Sequence, residues 1–272
     1  MIYHYCAANV FSSIISTKEI WLTDITKLND TSEYSTGYDL ISEVLMSKGL
    51  HENEFLRDIR GPHLNAEFQI LIGCFSQEGD SGSQWRLYAD DCHGLSIGFH
   101  EGDLLQFNRF NRSTQNDFQP ISSTVKLCRI EYDQDAFVKK VTDFIELYER
   151  NNPILKYQMM AVALRRYAAL YKNPFFKDER EIRAMIEIDP SVDDKYAVGL
   201  RTNVYNEQAS YHKLLTSYQS LNAIKEVIVG PLCPQSIEQV QAVLASNGLP
   251  DVQVTYSSGR GRYRAVTKRE TS

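Results

Sequence analysis

This 272-residue chain lacks the motifs by which an enzyme usually declares itself. Neither Gly-x-Gly-x-x-Gly nor Gly-x4-Gly-Lys-Ser/Thr occurs, so the backbone cradles that hold phosphates at a helix start are missing. There is no His-Glu-x-x-His, no Ser nucleophile elbow and no acidic run with metal-ligand spacing. Cysteine is sparse and scattered: Cys6, Cys74, Cys92, Cys128 and Cys233 form no Cys-x-x-Cys pair. That speaks against a structural zinc site or a disulfide framework, and for reduced, mostly buried thiols in a cytoplasmic protein. A Cys nucleophile would have no partner visible in the sequence. Positive charge is also short, with 29 Lys and Arg against 35 Asp and Glu and a net charge of −6. Broad nucleic-acid binding, which needs a basic surface, is thereby disfavoured. One local basic run, Arg260, Arg262, Arg264, Lys268 and Arg269, reads as a solvated terminal segment. No apolar run reaches bilayer-spanning length, and the first residues lack the basic and apolar regions of a signal peptide. Neither repeat nor linker divides the chain, so a single domain over 1–272 is expected.

What is present is an ordinary apolar fraction, 43%, enough for a real core. Aromatics are plentiful, 16 Tyr and 12 Phe, residue types suited to interfaces and to stacking on flat ligands. Strands are expected at 2–5, 19–23, 69–76, 94–99, 124–132, 181–188, 196–203, 225–230, 251–256 and 263–267. Helices are expected at 9–15, with Val10, Phe11 and Ile14 inward, at 38–46 before Gly49, at 135–150, from Pro153 to about 172, and at 236–245. Residues 28–30 carry turn chemistry, and the polar stretch 107–123 reads as a long loop. This mixed order lacks β-α-β alternation. It predicts an α+β fold, helices in blocks against a curved mixed or antiparallel sheet.

The strongest chemical signal is Glu179-x-Glu181-x-Arg183 at the mouth of a strand. Residues two apart share a strand face, so the three would point together, with Ile182, Ala184, Ile186 and Ile188 opposite. Charges so placed are costly to bury without a use or a partner. The competing reading is a solvated edge strand with a Glu–Arg pair. His4, between Tyr3 and Tyr5, is either a paired core histidine or a contact for a ligand hydroxyl. Asn29 and Asp30 either cap a helix or hold a ribose or amide. The strand-end Ser76 precedes Trp85, Arg86 and Tyr88. A short helix would present Trp85 and Tyr88 on one face, as packing anchors or with Tyr88 stacked on a flat ring, and Arg86 could meet a phosphate. Lys172 and His212 stand isolated and receive no role.

These pieces occur in a recognisable order: His4-Tyr5, Trp21-Leu22-Thr23, Leu28-Asn29-Asp30-x-x-Glu33, Cys74-Phe75-Ser76, Trp85-x-x-Tyr88-Ala89, Gly94-Leu95-x-Ile97-Gly98-Phe99, Glu179-x-Glu181-x-Arg183 and Ile224-x-x-Val227-Ile228-x-Gly230-Pro231. From His4 to about Pro231 the chain resembles the bacterial domain-of-unknown-function family 2971, with Thr31 where that family usually has Pro. The motif order is in turn similar to that of the ADP-ribosyltransferase superfamily. That likeness implies an ADP-ribosyltransferase-like fold and a site with His4 on the nicotinamide ribose, Tyr88 on nicotinamide, Glu181 as catalytic carboxylate and Glu179 completing Glu-x-Glu. Tyr5, Asn29, Asp30, Ser76, Trp85, Arg86 and Arg183 would complete the NAD-binding set. NAD would be a substrate, with no metal, and a carboxylate would stabilise the oxocarbenium-like state of nicotinamide–ribose cleavage.

The leading expectation is a cytoplasmic NAD-consuming enzyme, a transferase or glycohydrolase, suited to a toxin or phage-defence effector. Its acceptor would be a protein or nucleic acid, and a regulatory protein partner and no membrane are expected. Two alternatives stand beside it: a non-catalytic nucleotide- or protein-binding module, and a nuclease using Asp30, Glu179 and Glu181 on Mg²⁺.

Overall fold

The computed structural model describes residues 1–28, 31–54, 56–57, 59, 69–108, 124–151, 156–188, 198–202, 206–218 and 221–262. Its first half runs β1 (Ile2–Cys6), α1 (Ala8–Thr17), β2 (Glu19–Asp24), α2 (Thr31–Ser47), β3 (Gln69–Ser76), α3 (Gly82–Tyr88), β4 (Leu95–Phe99), α4 (Glu101–Phe107) and β5 (Lys126–Arg129). There follow α5 (Gln134–Asn151), α6 (Lys156–Ala168), β6 (Glu181–Ile188), β7 (Gly199–Thr202), β8 (Gln208–Leu215), β9 (Ser217–Tyr218), β10 (Leu221–Asn222), β11 (Ile224–Val229), α7 (Ile237–Ser246) and β12 (Gln253–Tyr256). Short 3₁₀ segments form at Ile25–Lys27 and Pro174–Glu179. The fold is α+β, with parallel and antiparallel strand pairs. The chain divides into two compact units, each assembled from separated segments: 1–20, 74–109 and 214–272 in one, 21–73 and 110–213 in the other.

In the first unit β4 is the central strand, paired antiparallel with β1 on one side and β11 on the other. All five of its residues are buried, since both of its faces are covered. β12 adds in parallel to β11, joined through α7. α7 starts on a capping box, Ser236 Oγ accepting from the Gln239 N–H while the Gln239 side chain accepts from the Ser236 N–H. Gly230 is required by close approach, because a Cβ there would meet the Gly94 carbonyl oxygen at 2.6 Å. α1 buries Phe11, Ile14 and Ile15, while Val10, expected inward, is 42% exposed.

The second unit packs α2, α5 and α6 around Ile41, Leu45, Phe137, Val141, Ile145, Met160 and Leu164. Each such side chain contributes roughly 1.5–3 kcal/mol on burial. Gly49, at φ 66, lies just beyond the C-terminal end of α2. β6 is no edge strand: it pairs with both β3 and β5, and all eight of its residues are buried. Its even-numbered face is the expected Ile182, Ala184, Ile186 and Ile188. The other carries Glu181, Arg183, Met185 and Glu187, three charged groups in the interior.

Several elements of the sequence reading shift: α2 begins at Thr31 rather than 38, and β5 is confined to Lys126–Arg129. The stretch 107–123 begins one residue inside α4, and 109–123 lies outside the described residues. Asn29, Asp30, Pro153 and the expected strand at 263–267 lie outside them too. α4, β8 and the two-residue strands β9 and β10 are additional to the expected elements.

Candidate active site

The charged cluster of the second unit is built at a chain reversal. Asn173 accepts a hydrogen bond from the Phe175 N–H at 2.9 Å, and Pro174 enters the 3₁₀ turn with its φ already set. The turn closes at Arg180, which adopts φ 46 and ψ 47 and donates its N–H to the Lys177 carbonyl at 3.2 Å. This corrects the sequence reading, because Glu179 is in the turn and only Glu181 and Arg183 are on the strand. Glu179 and Glu181 nevertheless converge, through the left-handed residue between them rather than through strand alternation.

They converge on Lys172. Its ammonium donates to Oε2 of Glu179 at 2.5 Å and to Oε2 of Glu181 at 3.0 Å. Arg183 forks onto Glu181, Nε to Oε1 at 2.7 Å and an NH2 nitrogen to Oε2 at 3.3 Å. The same guanidinium donates to the Ala169 carbonyl at 2.7 Å, a favourable place for a cation at the C-terminal end of α6. Lys172 is fixed by its backbone, whose N–H donates to the Glu131 carbonyl at 3.1 Å beside a parallel bridge between Glu131 and Tyr171. The Glu181 carbonyl accepts from Ile130 at 3.2 Å, and the Glu181 N–H donates to the Tyr132 hydroxyl at 2.9 Å. Burial, with the neighbouring carboxylates, pushes the Tyr132 phenol up to about 12, so it is neutral here at any physiological pH. Lys172, Glu179, Glu181 and Arg183 are between 1% and 6% exposed, which makes this a preformed ionic centre and not a solvated strand end.

Further along the same face Glu187 pairs with Arg166. Burial pushes the Glu187 carboxyl up, against the pull of that guanidinium. Among the described residues no group of three or more His, Cys, Asp and Glu could hold a metal ion. Between Glu179 and Glu181, where a dication would bridge, stands the Lys172 ammonium.

The remaining candidates of the sequence reading belong to the first unit. His4 is half-buried on β1, its Nδ1 3.1 Å from the Cys74 carbonyl, and burial lowers its pKa against that hydrogen bond. The Tyr5 hydroxyl donates to the Glu78 carbonyl at 2.7 Å and accepts from the Ser81 N–H at 2.9 Å. Ser76, 1% exposed, accepts from the Glu78 N–H. Trp85 and Tyr88 both lie on α3 but do not share a face: Trp85 is 1% exposed and Tyr88 44%. Trp85 is a packing anchor, edge-on to Tyr5 and donating its indole N–H to Asp80 at 2.7 Å. Arg86, beside it, is exposed and 3.9 Å from Asp91. The structure thus brings Glu179, Glu181 and Arg183 together in one unit, and His4, Tyr5, Ser76, Trp85, Arg86 and Tyr88 belong to the other. Lys172 is the residue that the sequence reading passed over. The signal available for it was a lone basic residue just before Asn173-Pro174, whose carboxylate partners come seven and nine positions later.

No curated protein and no solved structure matches the chain. Residues 84–184 match the family model described as Protein of unknown function (DUF2971). That span holds the Trp85-x-x-Tyr88-Ala89, Gly94-Leu95-x-Ile97-Gly98-Phe99 and Glu179-x-Glu181-x-Arg183 motifs and Lys172, and across it the resemblance to the domain-of-unknown-function family 2971 holds.

Proposed function

We propose that this protein is an NAD-consuming enzyme of ADP-ribosyltransferase type and that Glu181 is its central carboxylate. One observation carries the reading: Glu181 is clamped in the interior by both the Arg183 fork and the Lys172 ammonium. An interior ionic network of this kind is rarely the most stable filling for its space, because well-packed apolar residues do as well or better. Its retention at the start of β6 suits a task beyond stability.

The chemistry needs a fixed negative charge. As the bond from the ribose carbon to the nicotinamide nitrogen breaks, the electron pair leaves with nicotinamide and positive charge spreads over the sugar carbon and ring oxygen. A preorganised carboxylate stabilises that charge without reorganising at the moment of reaction. Water, or an acceptor hydroxyl or amine, then bonds to the carbon and gives up its proton. With water the products are ADP-ribose, nicotinamide and a proton. The roles that the resemblance implies for His4 and Tyr88 are not needed for this reading. The acceptor of a transferase would be a protein or nucleic acid, a regulatory partner protein would govern activity, and the setting would be a cytoplasmic toxin or phage-defence effector.

A second reading, a non-catalytic binding module, is favoured by the depth of the cluster, since among the described residues its four buried charged groups pair with one another. Incubation of purified protein with NAD, with free nicotinamide read by chromatography, separates the two. Nicotinamide release that Glu181→Gln lacks, in a variant whose circular dichroism still reports a folded chain, supports the enzyme. NAD binding without release supports the module.

A further inference from the structure

Two carboxylates that share a poorly solvated site do not both stay ionised unless a cation stands with them. Here Glu179 and Glu181 share one ammonium, at 2.5 and 3.0 Å, on a lysine that is 3% exposed. We propose that Lys172 is a positioning residue of the site, the cation that holds Glu179 and Glu181 together as a charged pair, a role that rests on the NAD-cleaving reading of Glu181. Among the described residues two positive groups, Lys172 and Arg183, pair with the two negative ones. Arg183 closes its fork on Glu181, and Lys172 spans both carboxylates. A compact ammonium with three rotatable donors fits between two carboxylate oxygens, where a planar guanidinium would favour one carboxylate alone.

Further described groups lie beside the pair. Tyr132, on the segment after β5, carries no charge. Glu131, beside it, is engaged by Lys140. The Phe176 ring of the 3₁₀ turn lies 5.0 Å from the Lys172 ammonium and adds attraction for the cation. Arg180, between the two carboxylates in sequence, ends the turn that brings them together. On the NAD-cleaving reading, Glu181 would stabilise the developing positive charge and Glu179 would accept the proton of the attacking group, both as carboxylates held by Lys172.

The test uses Lys172→Met, which keeps the bulk and removes the charge, and Lys172→Met/Glu179→Gln, which restores the balance. Thermal melting from pH 5 to 8 and NAD turnover over the same range are the readouts. The single variant is expected to melt about 10 °C lower at pH 7. Its deficit should shrink towards pH 5. The folded variant then holds a proton on the pair that the unfolded chain, with ordinary Glu near 4.3, does not, so its stability rises as pH falls. The double variant should recover at least half of the lost melting temperature. NAD turnover in the single variant should drop about tenfold or more at pH 7, with the acid limb of its pH profile moved to higher pH. A melting deficit that is flat with pH and not recovered by the double variant overturns the proposal, and so does an unmoved acid limb. Should the unaltered protein release no nicotinamide, the NAD-cleaving reading of Glu181 fails, while the melting series still decides whether Lys172 holds the pair by charge. Should the single variant not fold at all, recovery by the balanced double variant decides it.

Discussion

Two carboxylate-centred polar knots, one from each unit, are built on different principles. In the first unit Asp80 gathers neutral donors: Trp85 indole N–H at 2.7 Å, Ser257 hydroxyl at 2.5 Å and Ser258 backbone N–H at 2.7 Å. Asp80 itself is exposed. Burial of its surroundings pushes its pKa up, but these hydrogen bonds outweigh that and hold it below the ordinary aspartate value. In the second unit Glu179 and Glu181 meet opposite formal charges in the interior. The first arrangement needs no cation, because water and hydrogen bonds stabilise a single charge. The second depends on its paired charges, and removing one member leaves an uncompensated charge in the interior.

The sharpest way to break this comparison is Arg183→Met. Arg183 is 1% exposed and serves both Glu181 and the Ala169 carbonyl, so its loss should cost about 3–5 kcal/mol, read as a lowered urea midpoint at unchanged slope. A cost near that of a surface pair would show the network to be solvated after all. Asp80→Asn should cost only about 1 kcal/mol at pH 7, since one acceptor oxygen remains. The sign with pH is fixed by the lowered pKa. The Asp80 contribution is fully present above the unfolded value near 3.9 and is lost as pH falls through the lower folded value, so the gap between wild type and variant should close in acid. Urea titrations at pH 7 and pH 3 check this, and a gap that widens in acid would contradict it.

Much of this fold was legible because its elements are locally consistent. β3 and β6 fall where apolar runs place them, 69–76 and 181–188. α5 follows Phe137, Val141, Phe144 and Ile145 at helical spacing. β8 was not legible, because its inward residues include Ser210 and His212, polar side chains that break the apolar alternation. Val10 sits in a helix whose buried stripe is centred on Phe11, Ile14 and Ile15, and β-branched hydrophobicity alone could not say which side of that stripe it occupied. At the site, the Glu-x-Glu-x-Arg pattern named three of the four ionic residues. Its strand geometry was misread because Arg180, unlike glycine, gives no sign of left-handed backbone. Lys172 was hidden for a different reason: a pairing across a turn has no fixed period, so spacing rules for helices and strands do not reach it.

The interleaving of the two units also sets a schedule for synthesis. The second unit has all of its segments once residue 213 has emerged, whereas the first waits for residues 214–272. Until Ile224–Val229 arrives, the strand Leu95–Phe99 has no partner on the side that β11 will fill, and its apolar residues Leu95, Ile97 and Phe99 stand beside an open edge. A nascent chain paused between those points carries one unit ready to close and one ready to pair with a stranger. Slow translation or truncation after residue 213 is therefore the condition under which this protein should aggregate most readily.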